Sequence, residues 1–327
     1  MKSKFITIVF LFALVNSFVA HSKDVHLDPI NLINEMSDAS INLNYDGVFM
    51  YRHGSKLDTM RIIHKNDDGY ISERLISLSG NSREVVRKNN EIKYFFPDKK
   101  VVLVEKNQLT QLVPSHIPEE IEKISNFYTF EIAGDNRIAG LDTWIVNINP
   151  MDKYRYGYQL WIDKESKLLL RSILRNYRGV ILEDVMFLQM KTMPEIKDNI
   201  LKTSILSADF KWIYNDKDNT AKQTKLKKKW TTSWVPMGFL MSKFSKHPLL
   251  SSAIPVEHYI YTDGLATISI FVEKINNENK RKVLPKTSSF GGINTYTKQT
   301  DGYQITAVGE VPKTTVKLIV NSVKAKH

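Results

Sequence analysis

From Leu43 to Met190 the chain is a succession of short apolar runs cut at close intervals by turn formers, a pattern that leaves antiparallel sheet as the main way to fold. Strands are expected at Leu43–Arg52, Leu57–Lys65, Tyr70–Leu78, Arg83–Lys88, Glu91–Phe96 and Val101–Glu105. The separators are His53-Gly54-Ser55, Asp67-Asp68-Gly69, Gly80-Asn81, Asn89-Asn90 and Pro97-Asp98. All are residues that tolerate left-handed backbone or preset a turn. Further strands follow at Tyr128–Ala133, Thr143–Asn149, Arg155–Ile162, Leu168–Tyr177 and Val180–Met190, the last two joined by a tight Arg178-Gly179 turn. One helix precedes this meander and another interrupts it. Pro29–Ser40 places Leu32, Ile33 and Met36 on one face, and Ser115–Asn126 starts at Pro118 with Glu119, Glu120 and Glu122 favouring its first turn.

One hairpin is unusual. In Tyr158–Leu174, Leu160 and Ile162 point to one face and Trp161 to the other, while Leu168 and Leu170 oppose Leu169 and Ile173. An antiparallel sheet with one wet face alternates cleanly, so apolar residues on both faces mean that both are covered. Tyr45, Phe49 and Tyr51 against Val48 and Met50 repeat the pattern.

The N-terminus carries Lys2 and Lys4, an apolar run from Phe5 to Ala20, and a small-x-small site at Ala20-His21-Ser22. That is the arrangement of a secretory signal peptide, which puts the mature start near Lys23. The run is too short for a bilayer span of about 20 residues, so the mature protein is expected to be exported and not membrane-spanning. Cysteine is absent, which removes disulfides, thiolate nucleophiles and cysteine metal sites together. The net charge of +11 is uneven: 26 basic against 27 acidic residues from Lys23 to Asn215, but 18 against 8 from Asp216 onward. The basic excess in the last third fits either a solvated basic linker that serves solubility or a surface for an acidic partner, an anionic lipid or a phosphate-bearing glycolipid; nucleic acid is not an expected partner of an exported chain.

Residues 216–229 are polar and lysine-rich, with Lys225, Lys227, Lys228 and Lys229 in a dense cluster, and read as an interdomain linker. A smaller β-rich unit, 230–327, follows. Its expected parts are Trp234-Val235-Pro236-Met237-Gly238-Phe239, strands His258–Tyr261 and Ala266–Glu273 around Thr262-Asp263-Gly264, a strand at Gly302–Val308 and a closing helix at Lys313–Val323. Residues 23–215 form the large domain. No histidine spacing suits a metal, and neither a nucleophile elbow nor a phosphate-cradling glycine loop is present. The pair Glu183-Asp184 lies in a strand, where neighbours point apart. No catalytic residue, metal or cofactor is expected.

Six segments, in order, carry a resemblance: N-Y-D-G-V-F-M-Y (Asn44–Tyr51), R-E-V-V-R (Arg83–Arg87), P-M-D-K-Y-R-Y-G-Y-Q-L-W-I-D (Pro150–Asp163), V-P-M-G-F (Val235–Phe239), Y-T-D-G-L-A (Tyr261–Ala266) and V-G-E-V-P (Val308–Pro312). The chain resembles the RseB/MucB family of periplasmic regulators of the sigma-E envelope stress response. The resemblance implies a mainly β, α+β fold: an unclosed antiparallel β-barrel similar to the Lol lipoprotein carriers, with helices at its mouth, plus the smaller C-terminal domain. It implies binding to the periplasmic domain of an RseA/MucA-type anti-sigma factor, protection of that factor from proteolysis, and release on sensing lipopolysaccharide or the acyl chains of mislocalised lipoprotein. A carrier of lipid or lipoprotein is the alternative, and a homo-oligomer is compatible with either. On this reading Phe49, Tyr51, Trp144, Leu160 and Ile162 line an apolar cavity, and Lys225, Lys227, Lys228, Lys229, Trp234, Phe239, Asp263 and Gly264 face the partner.

Overall fold

The computed structural model describes residues 27–106, 121–215, 227–248, 255–275 and 284–326. The leader segment, Lys225 and the first half of the helix expected at Ser115–Asn126 lie outside these residues; in the second half a single 3-10 turn, Ile121–Ile124, replaces the expected α-helix.

Helix α1 (Pro29–Asn42) starts where Asp28 accepts a hydrogen bond from Ile30 N at 3.0 Å and Pro29 presets the first turn. It runs into β1 (Tyr45–His53), β2 (Lys56–Asp67), β3 (Tyr70–Ser77), β4 (Glu84–Lys88), β5 (Glu91–Phe96) and β6 (Val101–Lys106). Then come β7 (Tyr128–Ile138), β8 (Leu141–Pro150), β9 (Gly157–Asp163), β10 (Leu169–Arg175), β11 (Ile181–Thr192) and β12 (Lys211–Asn215). These strands make one twelve-stranded sheet in the order β12-β6-β5-β4-β3-β2-β1-β11-β10-β9-β8-β7. Two meanders are therefore joined by antiparallel β1 and β11, and the outermost strands, β12 and β7, do not pair with each other. The barrel is unclosed, as expected. Periodicity missed β12, which pairs in parallel with β6 and whose Lys-Trp-Ile-Tyr-Asn is too short to read alone.

The hairpin with two apolar faces now has its explanation. Leu160 and Ile162 join Val146, Ile148 and Tyr128 in a core capped by Leu32, Ile33 and Met36 of α1 and by Ile121 and Ile124. On the opposite face Trp161 packs with Leu170, Ile173, Ile138 and Met186. That second core exists because the far end of the β7–β8 hairpin curls back until β7 touches β11, four places away in the sheet order. The expected parity of β10 is overturned: a bulge between Leu169 and Arg171 puts Leu170 and Ile173 on one face and hands Leu169 to the other.

The smaller unit contains β13 (Trp230–Thr232), β14 (Leu240–Pro248), β15 (Pro255–Thr262), β16 (Thr267–Lys274), β17 (Lys286–Phe290), β18 (Ile293–Thr300), β19 (Tyr303–Gly309), helix α2 (Lys313–Ser322) and β20 (Val323–Ala325). Six strands form a sheet ordered β14-β15-β16-β19-β18-β17, and β13 pairs with β20. Val316, Ile319 and Val320 of α2 pack on Ile268, Ile270, Ile305 and Ala307. Strands β14, β17 and β18 were not expected, because their alternation is carried by threonine, serine and lysine rather than apolar residues.

Candidate functional site

The two sheets meet along Met151–Tyr158, the segment between β8 and β9 together with the first two residues of β9. Asp152 accepts a hydrogen bond from Tyr154 N at 2.8 Å, which tightens the chain into a turn and directs Arg155 inward. Arg155 has no solvent exposure. Its Nη1 donates to Asp263 Oδ2 at 2.8 Å, its Nη2 donates to Met237 O, and its guanidinium stacks over the rings of Phe127, Tyr128 and Phe239 at 5.1, 5.4 and 5.2 Å. A buried guanidinium needs a carboxylate partner and filled donor positions; the other domain supplies Asp263 and Met237 O, and Asp152 of its own segment accepts from Nε at 3.3 Å.

Asp263 serves both domains. Its Oδ1 accepts from the backbone N–H of Leu265 and Ala266 at 3.0 and 2.7 Å, shaping the β15–β16 turn; its Oδ2 accepts from Arg155 and from the Tyr128 hydroxyl at 3.0 Å. That turn, with Gly264 at φ 103°, pushes Leu265 into the apolar core beneath α1. Burial, then the neighbouring Asp263 charge, raises the Tyr128 phenol far above its ordinary range, so it stays a donor. Gly238 lies in the left-handed region at φ 89°, and a Cβ there would come within 2.5 Å of the Phe127 ring. Only glycine lets this turn lie against the large domain.

Around this node the contact continues. Asn294 Nδ2 donates to Tyr156 Oη and to Val311 O, both at 2.8 Å, and Thr315 Oγ1 donates to Tyr154 O at 2.8 Å. Trp234 meets Tyr154 edge-on at 5.2 Å, and Phe290 packs on His53 at 4.4 Å. Between the domains lies a cavity of about 190 Å³ lined by Tyr158, Ser172, Leu174, Glu183 and Val185 from the large domain and Leu265, Thr267 and Glu310 from the small one. Tyr158 donates to Glu310 Oε1 at 2.7 Å; Tyr51 and Gly292 N donate to Glu183 at 2.9 and 2.7 Å. Burial, followed by the Glu310 charge, raises Tyr158 well above its ordinary range, and burial pushes the Glu310 carboxyl up to about 6.

The residues expected from sequence are distributed unevenly. Leu160 and Ile162 are in the core under α1, with Trp144 at its margin beneath the Lys164 ammonium, 3.9 Å from the ring centre. Phe49 sits in an adjoining core against Phe187, and Tyr51 borders the interdomain cavity through Glu183. Phe239, Asp263 and Gly264 belong to the junction, with Phe239 and Asp263 buried against this chain's own large domain; Trp234 is at its edge. Lys227 is exposed, while Lys228 is half-buried over Phe244, and Lys229 N donates to Glu257, so these lysines border the small domain. Sequence reasoning passed over Arg155, Tyr128, Tyr156, Tyr158, Glu183, Asn294 and Glu310. For Arg155, Tyr156, Tyr158 and Glu310 the signal was the motif segments themselves, of which four, 150–163, 235–239, 261–266 and 308–312, converge on this junction; Tyr128, Glu183 and Asn294 lie outside them. Among the described residues no group of three or more His, Asp or Glu is placed to hold a metal, and no helix is long and apolar enough to cross a membrane.

Comparison with known proteins bears on the whole chain. The MucB/RseB N-terminal domain profile matches residues 28–205, and the MucB/RseB C-terminal domain profile matches residues 224–324. The sigma-E factor regulatory protein RseB of Salmonella typhimurium is 29% identical over 318 residues, covering 96% of this chain and 97% of that protein. The sigma factor AlgU regulatory protein MucB of Pseudomonas aeruginosa is 27% identical over 319 residues, 96% of each. Among solved structures, MucB in complex with MucA(peri) superimposes with a TM-score of 0.72 at 26% identity, over 92% of this chain and all of that one.

Proposed function

The chain belongs to the MucB/RseB family, and on that premise we propose that it is a periplasmic regulator, acting by binding rather than catalysis, that holds the periplasmic domain of an RseA/MucA-type anti-sigma factor. It shields that domain from proteolysis and releases it when lipopolysaccharide or mislocalised lipoprotein binds. The observation that carries this reading is the likeness, across both domains, to MucB in complex with MucA(peri).

The junction supplies a physical route for release. A ligand shifts an equilibrium only by its differential affinity for two states. The interior of the half-barrel is filled by α1, by Ile121 and Ile124 and by Leu265 of the small domain. The interdomain cavity of about 190 Å³ is smaller than the ~300 Å³ or more of ordinary ligand pockets. An acyl chain therefore has to displace Leu265 or α1 to enter, so it prefers an opened junction, and a partner that grips both domains prefers the closed one. Lys227, Lys228 and Trp234, at the margin of the small domain, remain candidates for the partner-facing edge.

The test uses the full mature chain and the anti-sigma periplasmic domain. Binding is measured by calorimetry, and protection is measured by the time course of cleavage of that domain by its regulatory protease. Lipopolysaccharide is expected to weaken binding and restore cleavage. Binding without any effect of lipopolysaccharide or of a lipidated peptide refutes the sensing step; lipoprotein hand-over to an acceptor with no anti-sigma binding would make the chain a carrier.

A further inference from the structure

The interdomain cavity contains an electrostatic feature that sets it apart from the buried ion pairs of the chain. Five buried carboxylates are matched by a cation, Glu73 by Arg87, Glu84 by Arg74, Asp184 by Arg171, Glu257 by Lys246 and Asp263 by Arg155, while Asp163 is held inside its own turn by Ser166 N and Oγ. Glu183 of β11 and Glu310, just after β19, instead face the same cavity from opposite domains, and no lysine or arginine lines it. They converge on Gly292, where a Cβ would lie 3.1 Å from Glu310 Cγ and 3.3 Å from Glu183 Oε1. Their hydrogen bonds come only from neutral donors, Tyr158, Tyr51 and Gly292 N.

The surrounding charges do not offset the pair. From β9 and the residue before it come Tyr158 and Tyr156, both phenols raised by burial. From β1 comes Tyr51, with His53 one ring further out, within 3.4 Å of Asp58. Arg175 of β10 donates to Asn149, and Arg52 and Arg171 pair with Asp184. Arg155 is already matched by Asp263 and Asp152. Docking the domains thus brings two carboxylates together in a partly dry space, at a cost that a single proton removes.

We propose that Glu183 and Glu310 form an acid-sensitive latch between the two domains, in which closure of the junction is coupled to proton uptake at Glu310. The device concerns this chain alone and stands whichever partner it holds. The direction follows from linkage. The Glu310 carboxyl is raised to about 6 in the closed form by burial, partly opposed by the Tyr158 hydrogen bond and reinforced by Glu183, against its usual value of 4.5. The closed form therefore binds the proton more tightly, and closure is favoured as the pH falls through the window between those values and weakened as it rises above about 6. If opening returns Glu310 to its usual value, the closed-to-open ratio rises about eightfold between pH 7 and pH 5.

The absence of cysteine makes the measurement direct. Lys88→Cys and Lys324→Cys place donor and acceptor dyes on exposed positions, one per domain, of the full mature chain. The distance distribution is expected to shift toward the closed form on acidification with a midpoint in the window between 4.5 and about 6. Glu310→Gln is expected to be closed and independent of pH over this range, Glu183→Gln to lower the midpoint, and His53→Gln to leave it in place. A transition that survives Glu310→Gln or vanishes with His53→Gln overturns the latch, as does a wild-type distance that does not respond to pH. Should Glu310→Gln fail to fold, the side-chain carboxyl carbon of Glu310 followed by NMR in the unaltered chain decides the matter: titration at the ordinary glutamate value refutes it.

Discussion

Removing the Asp263 side chain should loosen the junction more than any other single truncation there. Both Asp263 and Arg155 side chains are without solvent exposure, so Asp263→Ala leaves a guanidinium buried with much of its compensation gone. Breaking a buried pair in this way costs ~3–5 kcal/mol. The lower end applies, because Asp152 Oδ2 remains 3.2 Å from Arg155 Nη2 and three rings still cover the cation. The turn also loses the acceptor for Leu265 and Ala266 N–H, which weakens the insertion of Leu265. Asp263→Asn keeps the volume and an acceptor for those two N–H groups but removes the charge, and should cost about 2 kcal/mol. With Arg155→Met added, Asp263→Ala should cost ~2 kcal/mol less than in the wild-type background, because no stranded charge is left. Urea unfolding of the full mature chain, followed by tryptophan fluorescence and far-UV circular dichroism, reads these differences as midpoint shifts at constant slope. If Asp263→Ala and Asp263→Asn both stay within about 1 kcal/mol of wild type, the node is not what holds the domains together.

Gly238→Ala should cost ~1–3 kcal/mol and separate the domains, since the left-handed backbone resists a Cβ and Phe127 blocks it; unchanged small-angle scattering and stability would contradict this. Leu160→Ala should lower stability by ~2–5 kcal/mol, read by the same urea unfolding. Asparagine at Leu160 and Ile162 in a chain that still folds should abolish acyl-chain binding, and undiminished binding would place the lipid elsewhere. Glutamine at Lys225, Lys227, Lys228 and Lys229 should lower the on-rate for the anti-sigma domain and flatten its salt dependence while the off-rate hardly changes; identical salt slopes in surface plasmon resonance would leave the cluster without a role in encounter. Mass spectrometry of the periplasmic fraction should find a chain beginning near Lys23, and an intact Met1 there would refute the export reading.

What could be read from residues alone is what depends on neighbours along the chain. The helix start at Pro29, the turns at Asp68-Gly69 and Asn89-Asn90, and the strands between them follow from local backbone preference and a period of two, and they appear where expected. The same parity correctly announced that Leu160 and Ile162 oppose Trp161 and that Glu183 and Asp184 face apart, since alternation is a property of any extended strand. What covers each face was not there to read. The curl that brings β7 onto β11, the bulge that reverses Leu169 and Leu170, and the parallel pairing of β12 with β6 are made by residues far apart in sequence, and no local signal distinguishes them from their alternatives. The junction is the clearest case. Asp263 reads in sequence as an ordinary turn former and Arg155 as one arginine in a tyrosine-rich segment. Only docking, 108 residues apart along the chain, strips both of water and turns them into a buried ion pair. Glu183 and Glu310 look like surface carboxylates until the two domains close on them, because desolvation belongs to the assembled fold and not to any stretch of chain.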